Sequence, residues 1–83
     1  MADVELSSRA VDWLEDSPPN VEQRVIDRLK QAAEFPEHFL YRLSGSPYYK
    51  LRIGDYRAIV EWRRDDDVLF VRTIGHRRNV YDR

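Results

Sequence analysis

The sequence predicts an α+β domain in which two N-terminal helices pack on a mostly antiparallel β-sheet of about four strands. Before residue 36, apolar residues recur at spacings of three and four, which is typical of amphipathic helices. After residue 38 the spacing changes to two, which is typical of strands with one buried face. The order of these segments, β-α-α-β-β-β, separates the helices from most of the strands. A length of 83 residues suffices for one domain, and we expect a single domain over residues 1–83.

The N-terminal half begins with a short strand, in which apolar and acidic residues alternate, and continues with two helices. The first helix is predicted over residues 8–15, where Ser7 or Ser8 can cap its free backbone N–H groups. Ser17 predicts the N-cap of the second helix and Pro18 its first residue, because the N–H that proline lacks has no partner there. The buried side of this helix is expected to consist of apolar residues at helical spacing: Val21, Val25, Ile26, Leu29, Ala32 and Ala33.

The C-terminal half is expected to form the sheet. Its extended segments cover residues 48–53, 56–62 and 68–74, and residues 39–43 offer a further candidate strand. Gly54-Asp55 fits a two-residue type II′ turn, in which glycine takes the positive φ. The last segment is apolar on both sides, so we expect it to lie inside the sheet rather than at an edge.

The two-residue turn fixes which residues of the hairpin lie opposite each other. Arg52 lies opposite Arg57, and Lys50 lies opposite Ile59. One side of the hairpin is then apolar and is expected to face the core: Tyr49, Leu51, Ile53, Tyr56, Ala58, Val60 and Trp62. The other side receives Lys50, Arg52, Arg57, Ile59 and Glu61.

Two arginines opposite each other destabilise a sheet by up to about 1 kcal/mol. Two interpretations of this side of the hairpin remain open. It is either a solvated surface, on which Glu61 and Asp55 relieve the repulsion, or a preformed anion site, in which a bound phosphate does so. Residues 48–83 hold nine Lys/Arg against six Asp/Glu in a chain of net charge −1, which favours a local anionic partner.

The composition excludes several classes of site. The chain has no cysteine, and therefore no disulfide, thiol nucleophile or thiolate metal site. Residues 65–67, three aspartates in a row, are expected to form a solvated turn, and no other pattern predicts a metal or a cofactor. No signal peptide is recognisable, and no apolar run approaches the roughly 20 residues that span a bilayer. We therefore expect a cytoplasmic protein that does not bind membranes.

The residues after the last strand add further candidates. His76 can carry protons near neutral pH, and Arg77 and Arg78 can bind phosphate oxygens in a bidentate manner. Tyr81 can stack on a base or donate a hydrogen bond. A basic chain end is also common on proteins that bind nothing there. His38 lies far from these residues in the sequence and is interpreted as a surface residue.

The segments LSGSPYYKLRIGDYRAIVEW and DDDVLFVRTIGHRRNVY resemble toxins of the RelE/ParE superfamily, specifically its RelE branch. The resemblance covers residues 40–81, whereas the strand and helices before them match only in layout. It is carried by Leu43, Gly45, Tyr49, Lys50, Arg52, Asp55, Tyr56, Arg57, Gly75, His76, Arg77, Val80 and Tyr81. The resemblance implies a RelE-like, small RNase-like fold.

The resemblance also implies a function, that of the toxin in a type II toxin–antitoxin system. Such a toxin is a ribosome-dependent mRNA endoribonuclease that inhibits translation. In the ribosomal A site, the 2′-hydroxyl of the mRNA attacks the adjacent phosphate. The implied partners are the ribosome, its mRNA and a cognate antitoxin.

The resemblance implies a role for each matched residue of the site. Lys50 is the expected general base, since neighbouring cations favour its neutral amine. Arg57 and Arg77 are expected to stabilise the charge that builds on the phosphorane. Tyr81 is expected to orient the scissile nucleotide, and His76 is an alternative proton donor. The residues expected to bind the substrate are Arg52 and Arg78.

Three features depart from the family pattern. Arg52 stands where some members have a second lysine, and the chain is near neutral where the family is strongly basic. The chain stops two residues after Tyr81, so the C-terminal helix of some relatives is not expected. Two other functions therefore remain open, a ParE-like toxin that inhibits a topoisomerase and an inactive relative that only binds an antitoxin.

Overall fold

The elements of the fold are clear in a computed structural model that describes residues 1–76 and residue 78. In chain order they are β1 (Asp3–Leu6), α1 (Ser8–Glu15), α2 (Pro19–Glu34), α3 (Pro36–Phe39), β2 (Leu40–Arg42), β3 (Tyr49–Ile53), β4 (Tyr56–Arg63) and β5 (Val68–His76). The α+β class is confirmed. No helix in these ranges combines the length and the apolar character that crossing a membrane requires.

The sheet of the described residues has five strands in the order β1-β5-β4-β3-β2. β1 runs parallel to β5, and the other neighbours are antiparallel. The prediction that the last strand lies inside the sheet is confirmed, because β5 lies between β1 and β4. The expected count of about four strands is one too low. The additional strand is β2, which lies within residues 39–43 and pairs with β3 at one edge of the sheet.

The hairpin of β3 and β4 has the predicted turn and register. Gly54 has a φ of +58°, whereas Asp55 is not among the described residues of positive φ, as a type II′ turn requires. Arg52 pairs with Arg57, and Lys50 pairs with Ile59. The side chains that we expected in the core are there: Leu51, Ile53, Ala58 and Val60 are buried, and Tyr49, Tyr56 and Trp62 pack against them.

The helices cover one face of the sheet. The buried cluster joins residues of α1 and α2 to residues of β3, β4 and β5, for example Ala10, Val25, Leu29, Leu51, Val60 and Leu69. Of the predicted apolar stripe of α2, only Ile26 is not fully buried. The opposite face of the sheet has no helix on it within the described residues.

The helix ends differ in part from the prediction. Ser7 caps α1 as expected, since its Oγ accepts a hydrogen bond from the N–H of Ala10 at 3.1 Å. Ser17 does not cap α2, whose N-cap is Pro18. The Oγ of Ser17 instead donates to the carbonyl oxygen of Trp13 at 2.7 Å, at the end of α1. The predicted start of α2 is therefore one residue early, because Ser17 hydrogen-bonds to the end of α1 and does not cap α2.

A β-bulge interrupts the pairing of β4 with β5. Ile59 pairs with Thr73 and Val60 pairs with Val71, so Arg72 is an extra residue in β5. The hydroxyl of Ser7 donates to the carbonyl oxygen of Arg72 at 2.6 Å and thereby ties the start of α1 to the bulge. The bulge exchanges the faces of β5, so that Val71 and Ile74 both reach the core.

Candidate functional site

The face of the sheet turned away from the helices, here called the open face, carries the cations of the hairpin. Because the neighbouring residues of β3 and β4 are in the core, alternation places Lys50, Arg52 and Arg57 on the open face. The prediction that the hairpin sends these three cations to one side is therefore confirmed. Regular strands hold their backbone positions rigidly, as a preorganised site requires.

Two of the cations flank a recess at the β3–β4 turn. Arg52 and Arg57 are paired across the ladder, and the recess of about 230 Å³ is lined by both, together with Gly54 and Tyr56. On its other side Arg57 pairs with Gly75, which has no side chain to compete for space. Arg57 is half-buried, and its Nε is shielded from solvent. The recess has the charge and size to accept a phosphate group.

A third arginine reaches the same turn from α2. If Gly54 carried a Cβ atom, that atom would lie 3.4 Å from Nη1 of Arg24. The sequence pattern does not distinguish Arg24, because it is one of several charged residues on the exposed side of α2. Its position beside the turn depends on how α2 crosses the sheet, and no sequence signal reports that angle. The turn is therefore surrounded by three guanidinium groups: Arg24, Arg52 and Arg57.

Lys50 stands next to an apolar patch on the open face. Its ladder partner Ile59 is only 3% exposed, although no described helix covers this side. Ile59 pairs in turn with Thr73 on the neighbouring strand β5. Long cationic side chains commonly lay their methylene groups over an apolar neighbour and keep the charge in water, so we expect the amine of Lys50 to point outward.

The carboxylate expected to relieve the hairpin repulsion is engaged elsewhere. Glu61 accepts a hydrogen bond from Arg63 Nε at 2.8 Å and one from Arg72 Nη1 at 3.4 Å. In the part of the chain that the structure describes, neither Lys50 nor Arg52 forms an ion pair. The solvated-surface interpretation is therefore wrong about Glu61, whose charge is shared by two other arginines.

The acidic residues of the N-terminal half lie mainly away from the open face. Seven of the nine belong to the helices or to a helix cap: Asp12, Glu15, Asp16, Glu22, Asp27, Glu34 and Glu37. The near-neutral total charge thus combines an acidic helical side with a cationic open face. Such an asymmetry orients the chain toward a polyanion, although the net charge does not attract one.

His76 lies at the end of β5 on the other side of the sheet. It pairs with Tyr56, whose ring is 5.9 Å from the imidazole and 5.5 Å from the ring of Trp13, on the helix side. The open-face position beside Arg57 is taken by Gly75, the residue before His76. The structure therefore does not bring His76 together with the cations of the hairpin.

The remaining predicted residues lie beyond the last strand. Arg78 is exposed, and its backbone N lies 3.5 Å from Nδ1 of His76. Arg77 and Tyr81 are outside the described residues. His38 is exposed, as expected for a surface residue.

Replacing Arg52 with threonine is expected to leave the melting temperature unchanged or to raise it. The change removes the opposition of two positive charges and introduces a residue that favours strands. These gains offset the loss of the contact with Tyr41, whose ring centroid is 5.6 Å from Cζ of Arg52. Thermal denaturation checks this. Leu51→Thr is the control, since it alters a buried neighbour and should cost about 2 kcal/mol or more. A drop of more than about 1 kcal/mol for Arg52→Thr would show that Arg52 stabilises the fold.

A comparison with models of protein families assigns this chain to a family. A family model described as "ParE toxin of type II toxin-antitoxin system, parDE" matches residues 4–81. The match spans nearly the whole chain, including the three helices before the hairpin. The sequence has no significant match among curated proteins.

Solved structures of RelE toxins share the fold. The RelE–RelB complex of Pyrococcus horikoshii matches with a TM-score of 0.78 and 23% identity, over 95% of this chain and 98% of that chain. The Escherichia coli RelBE complex matches with a TM-score of 0.77 and 25% identity, over 92% of this chain and 96% of that chain. The RelBE2 complex of Mycobacterium tuberculosis matches with a TM-score of 0.80 and 18% identity, over 92% of this chain and 98% of that chain. The expected RelE-like fold is therefore confirmed.

Proposed function

Because the chain belongs to the ParE toxin family of type II toxin–antitoxin systems, within the RelE/ParE superfamily, we propose that it is a ribosome-dependent mRNA endoribonuclease of the RelE type. The observation that carries the proposal is the grouping of Lys50, Arg52 and Arg57 on the open face. The substrate is the mRNA codon in the ribosomal A site, and its cleavage stops translation. The proposed place of action is accordingly the cytoplasm.

The proposed reaction needs a base, a stabiliser of negative charge and an acid. The 2′-oxygen of the mRNA attacks the adjacent phosphorus, and its proton passes to the base. The bond from phosphorus to the 5′-oxygen of the next nucleotide then breaks, and that oxygen takes up a proton. The products are a 2′,3′-cyclic phosphate and a free 5′-hydroxyl. The nucleophile belongs to the substrate, so the proposal includes no cofactor.

The hairpin supplies the proposed base and the proposed groups that stabilise negative charge. Lys50 is the proposed base, since the other two cations of the hairpin are arginines, and a guanidinium stays protonated and cannot accept a proton. Arg57 stabilises the phosphorane from a half-buried position, where a charge acts more strongly than in open water. Arg52 holds the phosphate from the opposite side of the recess. All three roles are consistent with side chains that share one face.

The residues after β5 complete the proposal. Arg77 and Tyr81 enter it on the resemblance alone, as a second phosphorane stabiliser and as the residue that orients the nucleotide. Arg78 is proposed to bind the substrate backbone. His76 is the proposed proton donor, and its place on the helix side requires the leaving oxygen to lie at the end of β5, beyond Gly75.

A cognate antitoxin is the proposed protein partner. The structures from Pyrococcus horikoshii and Escherichia coli named above are complexes of RelE with RelB or of RelBE. Because this chain has the same fold, we propose that an antitoxin covers it in the same manner. Binding of an antitoxin is expected of any toxin with this fold, and it does not identify the target.

Inhibition of a topoisomerase is the second candidate function. It is favoured by one observation, the description of the matching family model as a ParE toxin. A toxin that acts by binding to a topoisomerase needs no base and no phosphorane stabiliser. The open-face cations of the hairpin are therefore unexplained by this alternative, which is why we place it second. An inactive relative that only binds an antitoxin is the third.

Two assays with the purified protein distinguish the candidates. Primer extension on ribosomes programmed with mRNA is expected to show new 5′ ends within the A-site codon. A DNA gyrase supercoiling assay is expected to proceed normally in the presence of the protein. Intact mRNA together with blocked supercoiling would replace our proposal with the second candidate, and inertness in both assays would favour the third.

A further inference from the structure

A second group of residues occupies the open face at the end away from the β3–β4 turn. It consists of Tyr48, Glu61, Arg63, Phe70 and Arg72, and we call it the distal cluster. The proposed cleavage reaction uses none of them. The distal cluster combines two cations, two aromatic rings and a carboxylate that bonds to both cations.

The distal cluster is organised around Glu61. Its carboxylate accepts from Arg63 at 2.8 Å and from Arg72 at 3.4 Å, one arginine for each oxygen. Cζ of Arg63 lies 5.0 Å from the ring centroid of Phe70, and Cζ of Arg72 lies 4.7 Å from that of Tyr48. Each guanidinium is thus fixed both by the carboxylate and by a ring.

The planar groups remain accessible to a ligand. The side chains of Arg63 and Arg72 are 42% and 41% exposed. A guanidinium that uses part of its edge for a carboxylate and one plane for an aromatic ring still has its other plane available. That plane is the part of arginine on which nucleic-acid bases stack.

The distal cluster adjoins the proposed catalytic residues. Tyr48 is two residues before Lys50, and Glu61 is two residues after Ile59, the ladder partner of Lys50. Two residues of a strand advance the chain by about 7 Å. Neighbouring nucleotides of one extended strand can therefore contact Lys50 and the distal cluster at the same time.

Arg72 is the extra residue of the β-bulge in β5. Alternation from Val71, which is in the core, places Arg72 on the open face. Its contacts with Glu61 and Tyr48 agree with this position. The bulge changes the face of the residues after Arg72, and bulges are common beside functional sites.

We propose that the distal cluster is a base-stacking subsite for single-stranded RNA, in which Arg72 and Arg63 present their guanidinium planes to the bases that flank the cleaved bond. Tyr48 and Phe70 back these planes, and Glu61 holds them in place as a positioning residue. The inference rests on the proposed function, since it concerns the same substrate on the same face.

Stacking explains the distal cluster better than phosphate binding does. Glu61 offsets one of the two positive charges, so the cluster attracts phosphate less than the turn does. The pKa of Glu61 is lowered, first of all by the hydrogen bond from Arg63, so its charge persists at neutral pH. A lysine in place of either arginine would keep the charge but lose the plane. This difference separates the two modes of binding.

The test measures the affinity of the protein for a short, fluorescently labelled 2′-O-methyl RNA, which resists attack by its own 2′-oxygens. Arg72→Lys is expected to weaken binding about tenfold, by the loss of one stacked base, while the slope of affinity against salt stays the same. Replacing single nucleotides by abasic ones locates the stacked base. At that position, the abasic RNA should weaken binding to the wild-type protein and hardly affect Arg72→Lys.

Arg64→Lys is the matched control. Arg64 also lies on an aromatic ring at this end of the sheet, 3.9 Å from the centroid of Trp62, but that ring packs on the helix side. Arg64→Lys should bind the RNA as the wild type does. Thermal denaturation of both variants shows whether the exchange alters the fold.

Three results would overturn the inference. Equal affinities for Arg72→Lys, Arg64→Lys and the wild type would do so while leaving the cleavage proposal intact. If every abasic position weakened binding to the wild-type protein equally, and Arg72→Lys had a lower melting temperature than the wild type, the distal cluster would serve the fold alone. Failure of the wild-type protein to bind the RNA, on or off the ribosome, would overturn both this inference and the proposed function.

Discussion

Arg57→Ala is expected to lower the rate of mRNA cleavage by about 10²–10³-fold, the usual loss for a preorganised group that stabilises developing charge. Arg57 is suited to this role because it is half-buried between Arg52 on β3 and Gly75 on β5. A charge in that position is screened less by water than one on a helix surface. The rate is measured by primer extension on ribosomes programmed with mRNA.

The control for Arg57 is a cation on the helix side of the sheet. Lys30→Ala removes an exposed lysine from α2 and should change the rate by less than about twofold, since surface charges act weakly. Arg57→Lys keeps a charge without the planar fork, and its rate should fall between those of the other two variants. Equal rates for Arg57→Ala and Lys30→Ala would remove Arg57 from the chemistry.

Lys50→Ala is expected to lower the cleavage rate by about 10²–10⁴-fold, the range over which a general base contributes. Lys50 pairs with the buried Ile59, two ladder positions from the pair of Arg52 and Arg57 on the same face. A base must also release its proton, and for this reason Lys50→Arg should not restore the rate, although it keeps the charge. Both variants are measured under single-turnover conditions, which separate cleavage from binding.

The comparison of the two Lys50 variants separates chemistry from electrostatics. If Lys50 served only to attract the phosphate, arginine would replace it and Lys50→Arg would cut at nearly the wild-type rate. Recovery of that kind would contradict the role of Lys50 as the base. The affinity for a non-cleavable mRNA should change by less than about threefold in Lys50→Arg, because the charge is retained.

The hairpin could be predicted because its turn leaves one possible register. Gly54 supplies the positive φ, and the pairings that follow place Arg52 opposite Arg57 and Lys50 opposite Ile59. Once the register is known, the period of two decides which side chains share a face. The cationic part of the site therefore follows from local sequence.

The parts that were missed depend on contacts between distant segments. β1 pairs with β5, and Arg24 reaches the turn from α2, and neither fact is contained in a local pattern. The bulge at Arg72, in contrast, does correspond to a local pattern, a break in the period of two along β5. Leu69 and Val71 are two residues apart, but the next buried residue of β5, Ile74, is three residues further on. A break in the period of two indicates an extra residue in the strand.

The charge distribution makes the near-neutral chain compatible with the proposed polyanionic target. The acidic residues of the helices lie on one side, and the hairpin cations lie on the other. For the proposed ribosomal target, long-range attraction is therefore expected to be weaker than for a strongly basic chain, and local contacts on the open face are expected to carry more of the affinity. The affinity should accordingly depend on a few open-face residues rather than on the total charge.

The central claim is that the open face promotes attack by a 2′-hydroxyl of mRNA on its neighbouring phosphate. It is tested most directly with ribosomes that carry either an all-ribose message or the same message with a single 2′-deoxy nucleotide on the 5′ side of the mapped cut. The account predicts cleavage of the first message, with a free 5′-hydroxyl on the downstream fragment, and no cleavage at that bond in the second. Equal cleavage of both messages, or cleavage of neither, would contradict it.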